Sequence, residues 1–288
     1  MRTPSRSITL FTTLLVLFFA SQVKSETFQT TAPEIIFAGN KVFSSQQLLE
    51  QTNTCLAQDK KSKGEYNPEM LEWCMRSVAN FIRAGGYLRA AVGEPKLEEV
   101  GNRLRITVPI EEGPLYRLGE IRITGATVFS QEQLMEILPL KTGAVASGDA
   151  IGKWLFENVQ KVYADRGYIQ YTAEPEPHFR PGSDGASEGI VDLKVYIEEG
   201  RRFSVRRIMF VGNVQTRDKV IRDALVIREG DFFSQDSYDE SIKNLNHLGV
   251  FEEIDSAKDL SMKTVGTEGD LSQIDLIIHL KEKAQSRH

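Results

Sequence analysis

Apolar and polar residues alternate along three stretches: Leu104, Ile106, Val108, Ile110; Val191, Leu193, Val195, Ile197; and Ile274, Leu276, Ile278, Leu280. Period-two alternation predicts a strand with one buried face and one wet face. Ahead of each stretch the period becomes helical. Leu71, Cys74, Met75, Val78 and Phe81 line one helix face, as do Ile151, Leu155, Val159 and Val162, and then Tyr238, Ile242, Leu245 and Leu248. Asn67-Pro68, Ser147 and Ser234 supply the N-caps, and Gly85-Gly86, Gly167 and Gly249 the stops. An earlier, shorter helix is predicted in each segment. Ser44 with Gln47 and Ser130 with Gln133 read as capping boxes, Phe43 with Leu48 and Phe129 with Leu134 as staples. Thr216 holds the third N-cap position without a box, so this helix start is expected to be the weakest. Opening strands are predicted at Glu34 to Ala38, Leu118 to Thr124 and Phe203 to Val211. A strand from Tyr87 to Leu97 is expected to turn through Val100-Gly101-Asn102 into Arg103 to Glu111. Pro109 is expected near a bulge or strand end, and Arg180 to Glu188 as a mobile hairpin loop. Each segment reads β-α-α-β-β.

The same markers return in order. Gly39, Gly125 and Gly212 open each segment, spaced 125 − 39 = 86 and 212 − 125 = 87 residues apart. Glu111-Glu112-Gly113 and Glu198-Glu199-Gly200 recur at 200 − 113 = 87, and Gly86-Tyr87 and Gly167-Tyr168 at 81. Three markers at near-constant spacing indicate tandem copies of one unit. A string of small domains presents surface to other proteins and seldom builds one deep catalytic pocket.

Residues 1–25 read as a secretory signal peptide. Arg2 and Arg6 precede an apolar run from Ile8 to Ala20, and Val23-Lys24-Ser25 offers a cleavage site; an uncleaved anchor is the alternative. Loss of Arg2, Arg6 and Lys24 takes the formal charge from −5 to −8, which disfavours nucleic acid and anionic lipid as main partners. The two cysteines, Cys55 and Cys74, fall on successive helices of the first unit. Export permits a disulfide between them; two buried thiols filling space are the alternative. The four histidines lie in separate elements without a catalytic or metal-ligand motif, so neither enzyme chemistry, metal nor cofactor is expected. The paired glutamates read as solvated punctuation between units.

One segment goes beyond pattern. Gly212-Asn213, Thr216-Arg217-Asp218-Lys219-Val220-Ile221-Arg222, Gly230-Asp231-Phe232-Phe233-Ser234 and Asn244-Leu245-Asn246-His247-Leu248-Gly249-Val250-Phe251 resemble polypeptide-transport-associated (POTRA) domains. So do the β-α-α-β-β order, the Gly-Tyr after the second helix and the Glu-Glu-Gly ending. The resemblance covers about residues 33 to 283 and is to the periplasmic arm of outer-membrane assembly factors of the BamA type. It implies an α+β fold of three tandem domains, each a three-stranded mixed sheet covered by two helices. The expected bounds are 33–115, 116–202 and 203–283, with a tail at 284–288 too short for the β-barrel that follows such arms.

The resemblance implies a periplasmic, outer-membrane-associated role in outer-membrane protein assembly or secretion. Protein partners are implied, either unfolded outer-membrane proteins or barrel-assembly components, held by strand addition. An envelope or cell-division scaffold for folded partners is the alternative. A sheet ordered 1-3-2 leaves its second strand on an edge. The candidate edges are then Tyr87, Leu88, Arg89, Ala90, Ala91 and Val92, and Tyr168, Ile169, Gln170, Tyr171, Thr172 and Ala173, with Phe251 to Ala257 as the third. Glu94-Pro95 and Glu174-Pro175 are expected to end the first two.

Overall fold

A computed structural model describes residues 33–58, 67–101, 103–182, 188–268 and 271–283. The expected signal peptide, the tail, Asn102 and most of the loop before Glu188 lie outside them.

The first unit runs β1 (Glu34–Ala38), α1 (Ser45–Leu56), α2 (Pro68–Ala84), β2 (Ala91–Val92), β3 (Lys96–Val100) and β4 (Arg103–Glu111). The second runs β5 (Leu115–Thr124), α3 (Gln131–Glu136), α4 (Gly148–Lys153), a π-helical segment (Trp154–Val159), α5 (Gln160–Ala164), β6 (Thr172–Pro181) and β7 (Glu188–Glu198). The third runs β8 (Arg202–Val211), α6 (Asp218–Asp223), α7 (Gln235–His247), β9 (Leu260–Glu268) and β10 (Leu271–His279). Each sheet is mixed. The last strand is central, parallel to the first and antiparallel to the one before it, in the orders β1-β4-β2 (with β3 also on β4), β5-β7-β6 and β8-β10-β9.

Local chemistry explains the helix starts. Both capping boxes form, at Ser44 with Gln47 and Ser130 with Gln133. Asn67, Ser147 and Ser234 cap the second helices through their side chains. Thr216 does not cap the third unit's first helix. The N-cap is Arg217, which makes no side-chain hydrogen bond, because the helix begins one residue later than the Thr216 spacing predicts; Thr216 instead donates its N–H to Glu282.

Three separate cores follow from the alternation. In the first, Leu71, Cys74, Met75, Val78 and Ile82 of α2 pack on Ile106, Val108 and Ile110 of β4. Complete burial of such aliphatic side chains contributes about 1.5–3 kcal/mol each. The Cys55–Cys74 disulfide ties α1 to α2, with Cα atoms 5.5 Å apart. In the second unit Trp154 and Tyr163 are fully buried, whereas Val162 is only partly so. The π-helical turns carry the extra residue that rotates this face away from an even helical period.

The units join by a repeated contact. The Tyr116 N–H donates to the Gly86 carbonyl at 2.9 Å, and the Phe203 N–H to the Gly167 carbonyl at 2.8 Å. Leu88 packs against the second core and Ile169 against the third. Two of the expected edge residues therefore work as knobs between units.

Candidate polypeptide-binding edges

The predicted edge segments are mostly not strand. Tyr87 to Ala90 form a turn, closed by the Ala90 N–H on the Tyr87 carbonyl at 2.9 Å, and only Ala91 and Val92 pair with β4. Tyr168 to Tyr171 turn in the same way, leaving Thr172 and Ala173 in β6. Phe251 makes an isolated bridge to Glu282, and the third edge is β9, beginning at Leu260. The aromatic residues that suggested strand are anchors. Tyr87 meets Phe43 edge-on at 5.5 Å, and Tyr168 meets Tyr163 edge-on at 6.2 Å. Tyr171 is buried and stacked on Tyr163 at 4.8 Å, its hydroxyl without a partner among the described residues. Ala90 is buried, and its carbonyl accepts from Arg83. Leu88, Arg89, Ile169 and Gln170 lie in these turns and not on a pairing edge.

Hydrogen-bond register decides which backbone groups face outward, because in an antiparallel pair alternate residues point towards the neighbour. In the first unit Gly93 donates to the Pro109 carbonyl at 2.8 Å, so the N–H and C=O of Val92 face away from the sheet. Between Gly93, on Pro109, and Lys96, on Thr107, stand two residues where regular pairing needs one; Glu94 and Pro95 form a bulge opposite Val108. Pro109 thus sits beside a bulge, as expected. Beyond it the outward positions are Leu97 and Glu99. A groove of about 730 Å³ opens between α2 and this edge, lined by Met75, Ala79, Arg83, Val92, Pro95 and Leu97 among others.

In the second unit Gly182 donates to Glu188, which places Ala173, Pro175, Pro177, Phe179 and Pro181 at the outward positions of β6. Pro175 was expected to end this strand. The strand instead continues through it to Pro181, because every proline falls where no ladder N–H is required. In the third unit His279 donates to Asp259 at 2.8 Å, so Leu260, Met262 and Thr264 point outward along β9. No other described strand pairs with that side.

The glutamate doublets are not punctuation. Glu112, 6% exposed, accepts the N–H groups of Lys41, Val42 and Phe43 at 2.9–3.0 Å. Glu199 accepts Thr127 and Val128 N–H at 2.8 Å each, the Tyr163 hydroxyl at 2.7 Å, and the Thr127 hydroxyl. Glu282 accepts Gln215 at 3.0 Å and Thr216 at 2.7 Å. Each carboxylate ties the end of the central strand to the loop after the first strand. The marker glycine lets that loop approach: a Cβ on Gly125, at φ +85°, would sit 2.1 Å from the Ile197 carbonyl oxygen. Burial pushes the Glu199 carboxyl up, but the hydrogen bonds from Thr127, Val128 and Tyr163 outweigh it and hold it below the usual range. Burial and then Glu199 push the Tyr163 phenol up, so it remains a donor. Sequence reading missed these locks. Their signal was the retention of only the second glutamate, as Glu282, in the third copy.

Comparisons with known proteins agree on one family. The family model described as "POTRA: Surface antigen variable number repeat" matches residues 33–113, 116–200 and 203–283. The outer membrane protein assembly factor BamA of Nitratidesulfovibrio vulgaris is 25% identical over 224 residues, covering 76% of this chain and 27% of that protein. BamA of Neisseria meningitidis serogroup B is 24% identical over 263 residues, covering 87% and 31%. The chain thus spans under a third of either relative. The crystal structure of Haemophilus influenzae BamA POTRA3-5 superposes with a TM-score of 0.66 at 19% identity, over 86% of this chain and 95% of that one, and so shares the fold. With the matched segments covering most of the chain as three β-α-α-β-β units, the protein belongs to the POTRA family.

Proposed function

We propose that this chain is a periplasmic protein-binding arm in the assembly of outer-membrane proteins, associated with the outer membrane through its partners or through a barrel of the kind that follows such arms. It holds extended polypeptide by adding it as a further strand to a free sheet edge. One observation carries this reading: in all three units the strand before the central one is left on an edge, and in the third its outward backbone N–H and C=O groups follow in regular register from Leu260 to Thr264. Main-chain pairing there gives affinity with little demand on ligand sequence, which suits many different clients. The groove beside α2 adds apolar surface from Val92 and Leu97 next to the first edge. The names of the BamA relatives supply the assembly context.

Photo-crosslinking tests the reading. A photoreactive residue at exposed edge positions of the intact chain is challenged with an extended peptide from an outer-membrane strand and with folded envelope proteins. Edge crosslinks to the peptide support it. Crosslinks only to folded proteins would favour the envelope-scaffold alternative.

A further inference from the structure

The three edges offer unequal ladders to an incoming strand, and the difference lies in proline and bulge register. We propose that extended polypeptide adds at β9 of the third unit, on Leu260, Met262 and Thr264, and that β6 of the second unit is closed to it. This assignment rests on the strand-addition reading and adds where it happens and what it selects.

On β6, three of the five outward positions, Pro175, Pro177 and Pro181, have no N–H. A strand laid alongside would leave its own carbonyls without donors there. Glu174, Glu176 and Arg180 add charge at alternate positions, a second device that discourages edge pairing. The first unit offers Val92, then the bulge with Pro95, so its outward ladder is broken after one residue, and β3 beyond carries Lys96, Glu98 and Glu99. β9 has no proline and no register shift through residues 260–264; its own irregularity begins beyond Thr264. Leu260, Met262 and Thr264 form an unbroken outward run without proline, and Lys263 is the one charge among those five residues.

The same geometry states the ligand. Leu260, Met262 and Thr264 pair with Ile278, Leu276 and Ile274, whose side chains enter the core, so they lie on the helix side of the sheet. Ser261 and Lys263 lie on the wet side. A matching segment is free of proline, apolar on the face that continues Leu260 and Met262, and polar with acidic residues on the face of Lys263. Strands destined for an outer-membrane barrel alternate in this way.

The test uses the whole chain and a labelled ten-residue peptide alternating Leu or Val with Ser or Asp, read by fluorescence anisotropy. Met262→Pro removes an N–H that points away from β10, so the β9–β10 ladder survives. It should weaken binding about fivefold or more, the loss of at least one hydrogen bond, at an unchanged unfolding midpoint. The triple variant Pro175→Ala, Pro177→Ala, Pro181→Ala should raise the stoichiometry from one peptide to two. In the otherwise native chain, benzoylphenylalanine at Lys263 should crosslink the peptide, and at His178 should not. This arm decides the matter if Met262→Pro unfolds. Binding by the native chain with crosslinks at His178, or unchanged affinity in folded Met262→Pro, overturns the assignment alone. Absence of any peptide binding by the native chain overturns the strand-addition reading with it.

Discussion

Replacing Glu199 with alanine tests the lock that closes each unit. The substitution removes an acceptor of four hydrogen bonds. Thr127 is exposed, so water replaces the acceptor for its amide and hydroxyl. The Val128 amide is half-buried and Tyr163 fully buried, and each loses a charge-assisted bond worth about 1.5 kcal/mol at the lower end. The second unit should lose roughly 3 kcal/mol. With a urea m-value near 1 kcal/mol per M, the midpoint falls by roughly 3 M. Trp154, buried in this core and bonded to the Leu134 carbonyl at 2.9 Å, reports the transition by fluorescence in a Trp73→Phe background. Exposed Glu198, one residue earlier, is the control, and its alanine variant should stay within about 0.5 kcal/mol. The pH dependence follows from the depressed Glu199 carboxyl. Its contribution is present above the ordinary glutamate value of 4.5 and is lost as pH falls through the lower folded value. Glu199→Ala should flatten the stability curve in that acid window. Equal midpoints for the two alanine variants would refute the lock.

Gly125→Ala places a methyl group against the Ile197 carbonyl oxygen in left-handed backbone, and should cost about 2 kcal/mol or more, read by the same Trp154 transition. Reduction of Cys55–Cys74 should lower the first unit alone by roughly 3 kcal/mol. It should shift the transition seen by Trp73 in a Trp154→Phe background, and leave the Trp154 transition of the Trp73→Phe protein where it was.

Much of the fold was legible because it is written in local patterns. Alternation along Arg103 to Glu111 and its two copies gave the central strands, and Ser44-Gln47 and Ser130-Gln133 fixed two helix starts. Errors arose where tertiary contacts overrule local propensity. Tyr87 and Tyr168 have strand-forming side chains, yet they pack as aromatic anchors while the backbone turns to pass a knob, Leu88 or Ile169, to the next unit. Glu112, Glu199 and Glu282 read as surface charge because their partners are amides about 70 residues away. The π-helical segment shifted the buried face to Trp154 and Tyr163, against an even period. The prolines of β6 were visible, but their meaning depends on pairing register, which sequence spacing alone does not supply.

Amide hydrogen exchange across all three edges tests strand addition most directly. The intact chain is measured free and saturated with the alternating peptide. The account predicts new protection at Leu260, Met262 and Thr264, with little change at Ser261 and Lys263, whose N–H groups already face β10, and none along β6. Protection of period two is the mark of an added strand. Peptide binding that protects no outward edge amide, or only helix amides, would contradict it.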